Sequence, residues 1–283
     1  MHELVFFGMI ILSIIRLIGV IISVDFYYDS KSKTYIYFCI GWGLWALSLM
    51  FLIFSGIVNS QTLQDFFQFV NYILGPIAIL FILAGISSYY LKVNLSNFLT
   101  FLLFLIIFPL IVFFTIGLNF VYIFSRIFTF LSYIIFFLLP IVKLKNFKEK
   151  IGKSIRWYYL SCFSIIYYIP LSIILSLNGD SYGLYQTEDM TTIILAYIPI
   201  LLTTILLIAF MIHLEYNISY QHKKDLKDKY SHDLGNILQA IESAHFIISS
   251  NNNIDKENIL EAEDIIKKKF REASETLKEI RKL

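Results

Sequence analysis

Seven apolar runs, each about as long as a helix must be to cross a bilayer, fill residues 1–213 of this chain. They lie approximately at 4–24, 35–58, 66–91, 98–117, 119–142, 157–177 and 191–213. About 20 apolar residues make one spanning helix, so runs of this length leave little freedom of fold. The fourth and fifth come from one stretch of about 45 residues, too long for a single span. Thr115-Ile116-Gly117-Leu118-Asn119 is the expected tight turn between them. The first run opens on acidic Glu3 and has no basic leader, so it reads as a retained span and not as a cleaved signal.

Composition changes sharply where the last run ends. The whole chain is 58% hydrophobic, with a mean hydropathy of +0.71, too apolar for a soluble globular domain. Residues 1–213 hold only 11 Lys/Arg and 8 Asp/Glu, whereas residues 214–283 hold 12 and 13. Neither region carries a basic stripe with interleaved aromatics, which argues against nucleic acid as a partner. Cys39 and Cys162 lie within apolar runs without metal-ligand spacing and read as small hydrophobes at helix interfaces.

Loop charge orients the spans. Lys31 and Lys33 fall in the first loop, Lys92 in the third, and Lys143, Lys145, Lys148, Lys150, Lys153 and Arg156 in the fifth. The even-numbered connections carry only acids: Asp65, Asp180, Glu188 and Asp189. Positive loops stay in the cytoplasm, which predicts a plasma-membrane protein with its amino terminus outside and its carboxyl terminus inside. Arg16 and Arg126 sit within apolar runs, where a cation is costly and normally pairs or lines a cavity. They are the candidate ligand-binding residues, although Arg126 is near enough to the outer end to reach the interface. The outer loop 178–190, with its acids and tyrosines, reads as a solvated connection. Each of the third to seventh runs contains one proline, tolerated in membrane helices as a kink.

After the last run the pattern becomes that of soluble helices. Leu234, Leu238, Ile241, His245 and Ile248 follow 4-3-4-3 spacing, and Ile266, Phe270, Ala273, Leu277 and Ile280 repeat it beyond a turn at Asn251-Asn252-Asn253, with Asp255 as candidate N-cap. Two such helices form an antiparallel hairpin whose stripe is half covered, and dimerisation into a four-helix bundle would close it. The expected class is an all-α membrane protein: a seven-helix bundle at 1–213, a signalling-helix linker at 214–229, and a cytoplasmic hairpin at 230–283.

Residues 230–238 read Tyr-Ser-His-Asp-Leu-Gly-Asn-Ile-Leu. His232 and Asn236, at i and i+4, share a helix face, and Asp233 can reach around to an imidazole nitrogen. Such a constellation can carry a phosphoryl group. His232 also falls off the apolar stripe, so it should face solvent. The segment resembles the H-box of sensor histidine kinases, in which an aromatic, Ser/Thr, His and Asp/Glu are followed by Leu, a basic residue, Asn/Thr, Pro and Leu. The apolar half resembles the seven-span sensors attached to some of these kinases. The resemblance implies a phosphoacceptor at His232, an orienting base at Asp233 and a residue that positions water for phosphatase action at Asn236. Gly235 stands where that family has a basic residue and Ile237 where it has proline. The pattern without proline also resembles peptide-sensing quorum kinases.

The family phosphorylates its histidine with a separate ATP-binding domain, and no Asp-x-Gly-x-Gly or comparable loop occurs in this sequence. The chain is therefore expected to bind no cofactor itself. ATP would act through a kinase domain supplied in trans or lost by truncation. The implied partners are a second copy of the chain, a response-regulator receiver domain and membrane lipid. Retinal chemistry is excluded for want of a lysine in 191–213, and a transporter would need more convergent polar groups at mid-depth. The alternative is a non-catalytic seven-helix receptor whose hairpin only dimerises or docks a partner.

Overall fold

The computed structural model of the chain describes residues 3–88, 94–142, 151–177, 190–250 and 256–280. Lys92, the cations at 143–150, the outer loop 178–189 and the turn with its cap at 251–255 lie outside the described residues. The described residues contain helices and no strand: α1 (Glu3–Ser30), α2 (Lys33–Ile57), α3 (Gln61–Ser88), α4 (Leu95–Thr115), α5 (Leu118–Val142), a short 3-10 turn (Gly152–Ser154), α6 (Ile155–Leu177), α7 (Met190–Ser250) and α8 (Lys256–Ile280). The chain divides into two compact units, Met1–Glu215 and Tyr216–Leu283, with the division falling inside α7.

In the first unit, six helices among the described residues are long and apolar enough to cross a membrane. They are drawn from α1 to α5 and α7, whereas α6 is a helix that is not among those six. The outward surface agrees with a multi-pass membrane protein. On α4, Leu103, Ile111 and Phe114 are each more than half exposed, and only Phe98, Leu105, Pro109 and Val112 are buried. Such a surface suits lipid, not water. The turn between α4 and α5 falls where the sequence placed it. Ile116 and Gly117 both donate to the Val112 carbonyl, and Gly117 takes φ +117, a conformation that disfavours any side chain. Pro76, Pro109, Pro170 and Pro199 lie inside helices.

With lipid outside and no water inside, helices associate through close packing and through hydroxyl hydrogen bonds. The interface of α2 with α3 illustrates the first. A Cβ added to Gly41 would lie 2.7 Å from Ile82 Cγ1 and 3.0 Å from the Ala78 carbonyl oxygen, so only glycine permits this approach. Thr34 and Ser88 share a hydroxyl hydrogen bond of 2.6 Å between the same two helices. Ser164 and Thr203 do likewise at 2.6 Å between α6 and α7, and Tyr197 Oη donates to the Val5 carbonyl at 3.0 Å, tying α7 to α1. Tyr35 Oη donates to the Glu215 carboxylate. Cys162 is buried and Cys39 half-buried, both as free thiols.

Among the described residues of the second unit, the buried apolar positions are Ile237 and Ala244 on α7 and Ala262 on α8. This shifts the expected stripe by one residue at two places. Leu238 is 65% exposed and His245 is also exposed, so Ile237 and Ala244 take the inner positions. The 4-3-4-3 pattern admits either phase, because Leu234 and Ile241 belong to both. On α8, Ile266 and Ala273 are half-buried whereas Phe270 and Leu277 are exposed.

The α2–α3 contact yields a stability test. Gly41→Leu should lower stability by about 1–3 kcal/mol, the usual cost of overpacking. Gly43→Ala is the control, because its Cβ would meet only Val20 Cγ2 at 4.0 Å. Thermal unfolding in mild detergent checks the pair. Equal stability of both variants would contradict the packing argument.

Candidate functional site

Each unit presents one polar constellation. In the second, the helix around residue 232 runs without interruption through α7, so its i, i+4 geometry is realised. Asn236 Nδ2 lies 3.1 Å from His232 Nδ1, and Asp233 Oδ1 lies 3.9 Å from the same nitrogen. The first distance is a hydrogen bond; the second is not. The His232 side chain is 76% exposed, as the off-stripe position predicted. The Asn236 amide nitrogen donates to Nδ1, which accepts in this arrangement, whereas the Asp233 carboxylate would pair with Nδ1 only when that nitrogen carries the proton. Lysine and carboxylate neighbours approach from the second helix as well. A groove of ≈ 400 Å³ is lined by Asp233, Asn236 and Ile237 on α7 and by Lys269, Glu272, Glu275 and Thr276 on α8.

Lys269 Nζ donates to Glu272 Oε2 at 2.6 Å. This hydrogen bond holds the Glu272 carboxyl below the usual carboxylate range. The α8 side of the groove was missed in the sequence. Lys269 and Thr276 are seven apart and Lys269 and Glu272 three apart, so a helical wheel of α8 would have placed them on one face.

In the first unit, Arg16 and Arg126 come together. They line a cavity of ≈ 70 Å³ among α1, α2, α3, α5 and α7, with Trp45, Asn71, Ser125 and Thr129 among its other walls. Arg16 is 3% exposed. Its Nη1 donates to the Trp45 carbonyl at 2.9 Å, and its guanidinium carbon lies 4.1 Å from the centre of the Trp45 ring. The guanidinium of Arg126 lies 5.0 Å from the centre of the Tyr122 ring. Arg126, which the sequence allowed to reach the membrane edge, turns inward instead. Asn71 is in the same wall and buried. No group of three or more possible metal ligands occurs among the described residues.

No family model, curated protein or solved structure matches this chain.

The Lys269–Glu272 pair fixes a sign for pH dependence. A carboxyl whose folded pKa is depressed contributes stability above its unfolded pKa, and that contribution is lost as pH falls through the folded value. Lys269→Met should return Glu272 to the ordinary carboxylate range. A carbon-detected NMR titration of the side-chain carboxyl reads the shift directly. An unchanged titration would show that Lys269 does not hold it.

Proposed function

We propose that this chain is the membrane sensor of a two-component signalling system, in which a seven-span bundle controls phosphorylation of His232 and its transfer to a response regulator. The observation that carries the reading is the convergence of Asn236 and Asp233 on Nδ1 of an exposed imidazole. A neutral histidine is a nucleophile through whichever ring nitrogen lacks the proton. When Nδ1 carries the proton and turns from the Asn236 amide nitrogen to the Asp233 carboxylate, the Nε2 lone pair is available. It attacks the γ-phosphorus of ATP; the N–P bond forms, the bond from phosphorus to the ADP oxygen breaks, and Asp233 accepts the Nδ1 proton. A receiver aspartate then takes the phosphoryl group. Asn236, on the same face, orients a water for the reverse hydrolysis.

ATP reaches the site on a kinase domain that acts in trans or belongs to a longer form of the polypeptide. In this reading α6 is the sixth of seven spans, the amino terminus is outside and the hairpin is cytoplasmic. The exposed Leu238, Phe270 and Leu277 are the faces that a second copy covers to close a four-helix bundle. The groove beside Asp233 is where a receiver domain sits.

Supplying a cognate ATP-binding domain should yield an acid-labile, base-stable phosphoadduct. His232→Gln should abolish it, Asp233→Asn should slow its formation, and Asn236→Ala should mainly impair dephosphorylation. Radiolabel that persists in His232→Gln would sink the assignment and favour a hairpin that only docks a partner. For topology, a cysteine placed in 178–189 should react with an impermeant thiol reagent added outside. For assembly, Leu238→Cys should form a disulfide-linked dimer, and a strictly monomeric protein in mild detergent would contradict it.

A further inference from the structure

We propose that Asn236 is a brake on His232: its amide holds the imidazole as the tautomer whose Nε2 carries the proton and cannot attack phosphorus. This regulation rests on the phosphoacceptor reading of His232. One hydrogen bond and its direction carry it. Asn236 Nδ2 lies 3.1 Å from His232 Nδ1, and an amide nitrogen only donates, so Nδ1 accepts. A neutral imidazole has one ring N–H and one ring lone pair. When Nδ1 accepts, the proton is on Nε2, and the nitrogen that phosphotransfer uses has no free lone pair. The lone pair left on Nδ1 is engaged by the amide. This is the unreactive arrangement of the ring.

Helix spacing explains why the amide and not the acid reaches the ring. Residues i and i+4 stack on one face, whereas i and i+1 point about 100° apart. Asn236 therefore meets the ring directly, and Asp233, one residue on, stands 3.9 Å from Nδ1, beyond hydrogen-bond reach. To give the reactive tautomer, water takes the proton from Nε2 and delivers another to Nδ1, so the charge of the ring is unchanged. Nδ1–H then needs an acceptor, which the Asp233 carboxylate supplies through a charge-assisted hydrogen bond. Asn236 offers an acceptor only if its amide turns end for end. The two side chains thus compete for one nitrogen with opposite demands on its proton. Both His232 and Asn236 are exposed, so the competition is decided in water. There one hydrogen bond shifts an equilibrium by a few-fold up to about tenfold, and not by orders of magnitude. A bias of that size slows phosphorylation without abolishing it.

The test labels the ring nitrogens of the five histidines with nitrogen-15 in the full chain, held in lipid nanodiscs. NMR spectra at a pH of about 9, above the ordinary imidazole range, distinguish a protonated ring nitrogen from a bare one. The signal absent from His232→Gln belongs to His232. In the unaltered chain its proton is expected on Nε2. Asn236→Ala, at an exposed helix position that alanine favours, should gain the Nδ1–H form. Asn236→Asp, which offers only acceptors, should gain more of it. With a cognate ATP-binding domain supplied, the initial rate of phosphoadduct formation should rise about two- to fivefold in Asn236→Ala. Adding Asp233→Asn should cancel that gain. A purely structural role for Asn236 would move neither the tautomer nor this rate. A proton on Nδ1 in the unaltered chain, a spectrum unchanged in Asn236→Ala, or an initial rate that does not rise overturns the brake and leaves the phosphoacceptor reading intact. No adduct in any variant, the unaltered chain included, sinks that reading and the brake with it.

Discussion

A polar group carried into hydrocarbon must find its partner inside the protein, and that constraint organises the membrane unit. It makes every described span a helix, because a helix satisfies its own backbone. It then governs the side chains. Ser23, Ser48, Ser55, Thr129, Ser161 and Thr204 each return their hydroxyl proton to a carbonyl three or four residues earlier. Thr34 with Ser88 and Ser164 with Thr203 also meet between helices, and Ser88, Ser164 and Thr203 keep a carbonyl three or four residues earlier within reach as well. Arg16 is the extreme case. It has a carbonyl and an aromatic face on α2, so α1 and α2 are held in one arrangement by a charge that neither could bury alone.

The two polar constellations obey opposite rules. In the cavity, Arg16 is buried among helices, where low dielectric magnifies its charge. At His232, the imidazole is largely in water, and Asn236 reaches one ring nitrogen through a hydrogen bond while Asp233 lies nearby. A buried histidine would be shielded from any donor of a phosphoryl group, whereas an exposed arginine pair would be screened by salt. The exposed histidine therefore has the solvation that its proposed chemistry needs. Both are linked in covalent terms by α7, which contributes Ile200 to the cavity wall and carries His232 further along the same helix.

Six apolar helices of spanning length and the turn at Gly117 were legible in the sequence because membrane thickness and backbone chemistry act locally. The turn at Gly117 is such a case: an over-long apolar run had to break, and glycine marked where. The i, i+4 relation of His232 and Asn236 was legible for the same reason. Two things were not. Whether Leu238 or Ile237 faces inward depends on which helix lies alongside, and the sequence pattern fits both phases. The meeting of Arg16 with Arg126 depends on how several helices close around one cavity, and the two residues lie more than a hundred positions apart. No periodicity within one helix reports on that, although Ser125, Arg126 and Thr129 already form a polar face on an otherwise apolar span.

The departure at Ile237 shows why the local sequence differs from the H-box it resembles. A proline there would have no N–H to donate to the carbonyl of Asp233, and its ring would press on that carbonyl. The helix would bend beside the acid that must approach Nδ1. Isoleucine keeps the ladder intact, and α7 runs unbroken through this region. Ile237 is also only 7% exposed, so its side chain fills the inner face of the second unit while its backbone supports Asp233. With the backbone fixed, the 3.9 Å between Asp233 and His232 can close only by side-chain rotation. Asp233 also lines the groove that Lys269, Glu272, Glu275 and Thr276 border from α8.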